Sequence, residues 1–451
     1  MRIPRVVISA SNSGSGKTML TCGIARALRK RGYEVQTFKV GPDFIDPKYL
    51  TIASGRKAVN LDSCLMSEEE ILRDFENYCE GADLAIVEGV RSLYDSSDPL
   101  SLKGSTFSVA RIIKAPILLV VDIRGLNMGS AAIVKGFAEL FNADIRGVIL
   151  NSSRGERHEL KARRAVEELT GIRVLGTIPR KKELEISMRH LGLITVEGIE
   201  KEVEEKVERW AEIVEERLDL EGLLRIAQQA EEMPRIREET KRKNFDVKVA
   251  VALDKAFNFY YTQNFDRLKA LGANFVFFSP LESVFPEEAD GILIGGGYPE
   301  IFVREFDKDS MNSLRKKIED DCPAYAECGG LMFLCEKLVV RGEKFDGVGI
   351  IPADAIFDLS RRFLGYTRAR VIEDNVLSVK GEIHLGHEFH YSYLDTGRDI
   401  KYAYELERGY GIDGFHDGIL SHDCLASYMH MLIPERNSVR FLEKCKKYGK
   451  S

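Results

Sequence analysis

The chain has 451 residues, 44% hydrophobic and 9% aromatic, enough apolar surface for sizeable cores and too much for a disordered or fibrous chain. Lys and Arg number 65 against 71 Asp and Glu, a net charge of −6 with no long run of either sign, so there is no basic stripe for nucleic acid. At roughly 100–200 residues per domain the length predicts two or three domains, and no apolar stretch approaches the roughly 20 residues of a membrane span.

The first residues, MRIPRVVISASNSGSGKT, run straight into a motif, and no signal peptide is expected. Short apolar, β-branched runs follow at Arg5–Ser9, Val35–Val40, Leu84–Val87, Ile117–Val121, Gly147–Leu150 and Arg173–Thr177. Helical patterns such as Met19–Arg31 lie between them, and this alternation predicts an α/β domain over residues 1–197 with a mostly parallel, doubly wound sheet. Over 198–244 the chain is dense in charge, with apolar residues at helical spacing and no sustained heptad. That pattern predicts one or two solvated surface helices and a linker rather than a coiled coil. Strand signals restart at Val247–Leu253, Asn274–Phe278, Gly291–Ile294 and Ala324–Ala326, so residues 245–440 form a second α/β domain. The eight cysteines (22, 64, 79, 322, 328, 335, 424 and 445) contain no CxxC pair, which points to reduced thiols in a cytoplasmic protein.

Residues Val6–Thr18 spell a strand, a small-residue loop and a helix start. Gly16, Lys17 and Thr18 match the end of G-x-x-x-x-G-K-[ST], with Ser11 at the first glycine position. Ser13, Gly14, Ser15 and Gly16 let successive backbone N–H groups curl around phosphate oxygens at a helix N-terminus. Lys17 is placed to reach the terminal phosphates of ATP, and the Thr18 hydroxyl to ligate Mg²⁺. Acidic partners for that cation are available. Asp43 and Asp46 follow the second strand in GPDFIDP, and Glu88 ends the apolar run Leu84–Val87, at the edge where open α/β sheets bind ligands. A turn or helix-capping role is the plain alternative for each acid, and for Asp46, before Pro47, the stronger one.

In the second half, Pro323–Met332 predicts a strand, a sharp turn at Cys328 and a helix opened by Gly329 and Gly330. A cysteine at such an elbow is exposed and favoured as thiolate, the logic of a nucleophile. Cys22, Cys335 and Cys445 fall in helical patterns and are read as packing residues. The loop Gly295–Glu300 follows another strand, and Gly297, with Gly329 in the elbow, is a candidate backbone donor for an oxyanion hole. For the base, His158 and His190 lie in the first half. His384, His387 and His390 are clustered, but on a strand His387 faces away from the other two, which disfavours zinc. Spacing leaves His390 and His430 as equal alternatives.

The stretches VVISASNSGSGKT, FKVGPDFIDPKYL, NLDSCL and VEGVRSLYD closely resemble the synthetase half of the cobyrinate a,c-diamide synthase family. GGGYPE, AYAECGGLMFL, GHEFHYS and ASYMH resemble its glutamine amidotransferase half, so the likeness spans residues 4–433 in the family's order. It implies a dethiobiotin synthetase-like P-loop domain followed by a class I amidotransferase-like domain. Lys17 would then steady the phosphates of ATP, while Thr18, Asp46 and Glu88 hold Mg²⁺. Asp43, Asp46 and Asp95 would organise the reacting carboxylate of a tetrapyrrole, and Asn151 reads adenine or is a turn asparagine. Cys328 would attack the L-glutamine side chain with His430, not His390, as its base.

Departures are informative. Leu432 stands where ordinary class I enzymes carry a glutamate two residues after the histidine, which leaves the orientation of His430 unexplained. Tyr49–Arg56, Ser92 and Ser96 depart from the family's usual acceptor-side pattern, which bears on the tetrapyrrole more than on the reaction. The same motifs occur in enzymes acting on Ni-sirohydrochlorin, the alternative substrate. A P-loop switch ATPase is a distant alternative, and a catalytically dead amidotransferase another; Cys328 and His430 speak against both.

Overall fold

The computed structural model describes residues 2–181, 197–234, 243–282, 284–397 and 400–450. They divide into two compact units, the first comprising residues 2–181 and 197–234 and the second the residues from 243 onward. His190 lies outside the described residues.

The first unit opens with β1 (Arg5–Ala10), α1 (Lys17–Lys30), β2 (Val35–Val40), α2 (Asp46–Ser54) and β3 (Val59–Leu61). It continues through α3 (Glu68–Tyr78), β4 (Leu84–Glu88), α4 (Thr106–Ile112), β5 (Ile117–Asp122) and α5 (Gly129–Leu140). It ends with β6 (Ile145–Ser153), α6 (Glu156–Thr170), β7 (Val174–Pro179), α7 (Glu197–Arg217) and α8 (Leu220–Gln228). The strands form one seven-stranded sheet in the order β3-β2-β4-β1-β5-β6-β7, every pairing parallel. The doubly wound expectation therefore holds, with the three-residue β3 as a strand the sequence reading did not include. β1 lies between β4 and β5, so the loop leaving it opens at the crevice where such sheets bind ligands.

The two helices expected over 198–244 are present as α7 and α8 but are not solvated, and the expected linker at 235–242 lies outside the described residues. α7 and α8 belong to the first unit, and α7 buries Val203, Val207, Trp210 and Val214, spaced three or four apart on one face. That stripe packs on α1, where a Cβ on Gly23 would stand 2.8 Å from the Trp210 carbonyl. Three of the acidic residues that made the stretch look solvated are ion partners of α1 and the residue that caps it. Arg26 pairs with Glu204 at 2.6 Å and with Glu208, and Arg31 pairs with Glu215 at 2.6 Å. Trp210→Ala is expected to cost about 3–5 kcal/mol, a destabilisation that a merely solvated helix would not show. Urea denaturation followed by circular dichroism measures it.

The second unit starts with β8 (Val247–Ala252), β9 (Phe257–Phe259), α9 (Thr262–Ala270), β10 (Ala273–Phe278), β11 (Gly291–Ile294) and β12 (Gly296–Gly297). Next come α10 (Lys308–Glu319), β13 (Ala324–Glu327), α11 (Gly329–Leu334), β14 (Cys335–Val340), β15 (Glu343–Asp346) and β16 (Ile351–Phe357). β17 (Phe363–Val371), β18 (Ile383–His390), β19 (Ser392–Asp395), β20 (Tyr402–Arg408), β21 (His416–Ser421), β22 (Cys424–Ser427) and α12 (Glu435–Tyr448) complete it. Nine strands form a sheet in the order β10-β8-β11-β13-β22-β21-β20-β17-β18, and β15-β14-β16-β19 form a smaller one. The pairings from β10 to β22 are parallel, whereas those beyond β22 are antiparallel. Alternate residues of the central strands serve opposite cores: Ala324 and Ala326 on one side, Tyr325 on the other. α12 runs past the expected boundary at 440. Cys335 begins a strand and is not helical as expected, though it is buried packing all the same.

Candidate active sites

In the first unit, the loop between β1 and α1 turns through left-handed glycines, Gly14 at φ +75° and Gly16 at φ +87°. Gly16 has a second reason to lack a side chain. A Cβ there would stand 2.5 Å from the Asn151 amide nitrogen, which donates to the Ser15 carbonyl at 2.7 Å. Asn151 thus braces the loop from the end of β6. Ser13, Gly14, Gly16, Lys17, Thr18, Asp43, Asp46, Glu88 and Asn151 all line a cavity of about 580 Å³. Ser15 is buried and donates to the Asn12 carbonyl. Asp95 is exposed beside the cavity, close enough to bear on the Lys17 charge.

The acids form one cluster around Lys39, a residue that sequence reasoning missed. β2 and β4 pair so that Lys39 and Glu88 stand side by side at their C-terminal ends. Lys39 Nζ lies 2.7 Å from Glu88 Oε1 and 2.5 Å from Asp46 Oδ2, and the Thr18 hydroxyl donates to the same Glu88 oxygen at 2.7 Å. Burial opposes charge on Lys39, yet Asp46 and Glu88 hold it well above the usual lysine range. Burial pushes Glu88 up to about 7 and, with Asp46 adding to it, Asp43 up to about 6. Lys17 is brought down to about 8 by burial and by the Lys39 charge, against the pull of Glu88, Asp46 and Asp95. The available signal for Lys39 was a cation inside the apolar strand VQTFKV. Asp43 also has a local role, its carboxylate accepting from the Ile45 and Asp46 amides at 2.8 and 3.0 Å at the start of α2. Asp46 opens α2 and still aims its carboxylate at Lys39.

In the second unit three neighbouring parallel strands, β11, β13 and β22, end at one sheet edge and deliver the three parts of a site. Cys328 follows β13 with φ +48° and ψ −99°, a conformation strained for a residue with a side chain and held by its amide bonding the Ser427 carbonyl at 2.7 Å. Gly297 follows β11 with φ +155°, and a Cβ there would stand 1.9 Å from the Ala256 carbonyl oxygen, so only glycine fits. The elbow and this loop touch: a Cβ on Gly329 would lie 3.0 Å from the Gly297 nitrogen. His430 arrives beyond β22 and hydrogen-bonds Cys328. Burial opposes its charge, but the bonds to Cys328 and Glu327 push it up to about 10.

The two histidines left open by spacing have different surroundings: His430 pairs with Cys328 and Glu327, and His390 does not. His390 donates from Nδ1 to the Ser392 carbonyl at 2.7 Å and stacks on Tyr428. His384 bonds Ser378 at 2.5 Å, and His387 bonds the Tyr261 hydroxyl at 3.1 Å, so the three clustered imidazoles have separate partners. Among the described residues no three His, Cys, Asp or Glu side chains gather as a metal cage. His158 bonds the Leu126 carbonyl at 2.6 Å, in the first unit. Glu327, the last residue of β13, was also missed, although a carboxylate ending a buried strand next to the nucleophile was visible. Its Oε2 lies 3.1 Å from His430 Nδ1.

Among the described residues no helix is long and apolar enough to cross a membrane. The profile of the CobQ/CobB/MinD/ParA nucleotide binding domain matches residues 6–194, and that of the CobB/CobQ-like glutamine amidotransferase domain matches 248–438. A cobyrinate a,c-diamide synthase of Archaeoglobus fulgidus is 42% identical over 458 aligned positions, covering 99% of this chain and 98% of that protein. The protein of the same name from Methanocaldococcus jannaschii is 41% identical, covering 95% and 96%. A third, from Picrophilus torridus, is 38% identical over 99% of both chains. At this identity over nearly the whole length, the chain belongs to the cobyrinate a,c-diamide synthase family, a nucleotide-binding unit joined to a glutamine amidotransferase.

Proposed function

We propose that the chain uses ATP and L-glutamine to convert the a and c carboxylates of cobyrinate to amides, a step of cobalamin biosynthesis. The observation that carries this reading is the pairing of His430 with Cys328 at a strained elbow, in a chain whose other unit holds a P-loop beside buried acids.

The glutaminase step follows from the elbow. Cys328 Sγ attacks the side-chain carbonyl carbon of glutamine, and the oxygen that becomes negative faces the amides of Gly297 and Gly329. The C–N bond breaks as His430 passes its proton to the leaving nitrogen, which departs as ammonia. Water, deprotonated by His430, then cleaves the thioester and releases glutamate.

In the synthetase unit an oxygen of the tetrapyrrole carboxylate displaces ADP from the γ-phosphate of ATP, and ammonia displaces phosphate from the resulting acyl phosphate. Lys17 steadies the transferred phosphoryl group, with loop amides from Ser13 to Gly16 on the other phosphates. Asp43, Asp46 and Asp95 orient the acceptor carboxylate and ammonia, and Asn151 meets the adenine side. The residues also fit Mg²⁺. Thr18, Asp46 and Glu88 are hard oxygen donors, and Glu88 Oε2 is buried and meets no donor among the described residues. A P-loop cation needs only such ligands together with phosphate oxygens and water. When bound, Mg²⁺ supplies charge neutralisation on the phosphates. All eight cysteines are free, in keeping with a cytoplasmic enzyme.

Incubation with ATP, glutamine and cobyrinate, read by product mass, is expected to give the diamide. Amidation of Ni-sirohydrochlorin instead would change the substrate and leave the reaction. No amidation of either would overturn the reading.

A further inference from the structure

We propose that Glu327 is the positioning carboxylate of His430, so that the acid of a Cys–His–acid triad comes from the nucleophile's own strand. This deepens the proposed glutaminase function and rests on it. The position two residues beyond the histidine, where a class I acid is expected, holds the apolar and buried Leu432. The orientation of His430 therefore has to come from another element.

Glu327 meets the geometric requirement of that role. It is 5% exposed, and Oε2 lies 3.1 Å from His430 Nδ1. Its other oxygen accepts from the Tyr325 hydroxyl at 2.7 Å and from the Met431 amide at 3.1 Å. The Met431 amide can only donate and the Tyr325 hydroxyl donates here, so the carboxylate is held as an acceptor and Nδ1 of His430 carries hydrogen. With Nδ1 turned to Glu327, Nε2 is the nitrogen left to exchange a proton with Cys328. The two residues have reason to be adjacent. Glu327 ends β13, His430 follows its parallel neighbour β22, and Ser427 at the end of β22 pairs with Glu327.

The titratable groups facing His430 among the described residues are Glu327 from β13, Cys328 from the elbow and His387 from β18, whose ring stacks on His430 at 5.0 Å. Burial and the His430 charge hold His387 well below its ordinary range, so it is neutral and offers no counter-charge. Glu327 supplies it, and the lifted range of His430 agrees. The sign of the pH effect follows. Activity is expected to fall at high pH, when His430 loses the proton it passes to the leaving nitrogen. Removing the Glu327 charge lowers the pH at which that happens.

The test is glutamine hydrolysis by the full chain and by Glu327→Gln, measured as kcat, KM and pH profile. Expected is a fall in kcat of roughly 10²-fold or more, up to the roughly 10⁴-fold loss seen when a triad acid is made neutral, with KM little changed and the alkaline limb of kcat/KM moved to lower pH. A kcat within about threefold of the wild type, or a loss carried by KM with the limb unmoved, overturns the assignment. Should Glu327→Gln fail to fold, Glu327→Asp decides. It keeps the charge but withdraws it, and a reduced kcat with a limb nearer the wild-type position is expected, whereas an unchanged kcat overturns the role. Absence of glutamine hydrolysis in the wild type itself would instead overturn the proposed function, and the role of Glu327 with it.

Discussion

Cys328→Ala is expected to lower glutamine-driven amidation by roughly 10⁴-fold or more, as when a covalent nucleophile is removed. The same variant should still amidate with ATP when ammonium is supplied at a pH that leaves some free ammonia. The reason lies in the division of chemistry. In the proposed mechanism the thiol converts glutamine to ammonia through a thioester, while the P-loop unit needs only ammonia to attack an acyl phosphate. Cys328 stands at a strained backbone position with φ +48°, and alanine has fewer atoms to accommodate there, so the fold should persist. Parallel turnover assays with glutamine and with ammonium measure the split. Loss of both activities in a folded protein would mean that the elbow serves the synthetase step as well.

Glu88→Gln is expected to do the reverse, lowering ATP-dependent amidation by roughly 10²–10³-fold, the cost of removing one preorganised electrostatic partner, while glutamine hydrolysis continues. Glu88 is fully buried and shares one oxygen between the Thr18 hydroxyl and the Lys39 ammonium. A neutral amide of the same shape removes the charge that holds Lys39 and the proposed Mg²⁺ ligand together. It also leaves Asp46 as the remaining close anion for a buried ammonium. The deficit should shrink as Mg²⁺ is raised if the metal is bound less tightly. Unchanged amidation at limiting Mg²⁺ would remove Glu88 from the site.

The P-loop motif and the cysteine elbow were legible because their signals are local. A strand, a few small residues and a helix start place backbone N–H groups in a concave arc whatever surrounds them, and Val6–Thr18 carries all of it in consecutive residues. Cys328 is marked in the same way, by an apolar strand before it and two glycines after it. The alternation of strands and helices likewise announced two α/β units, since periodicity is a property of neighbouring residues.

The remainder depended on which strands became neighbours, and no single segment records that. Lys39 is one cation in a short strand until β2 pairs with β4 and sets it beside Glu88. His430 and His390 are equivalent by spacing; the parallel pairing of β13 with β22 brings His430 to Cys328 and Glu327. The charged stretch beyond residue 197 looked solvated because its acids were counted without their partners, Arg26 on α1 and Arg31 just past its end, about 180 residues earlier. The sequence by itself determined the fold class, the phosphate loop and the thiol, since these follow from short-range sterics and backbone hydrogen bonding. Only the tertiary structure decided which histidine stands beside Cys328, the buried ammonium and the docking of α7, because charge pairing and burial act between residues that the folded chain brings together.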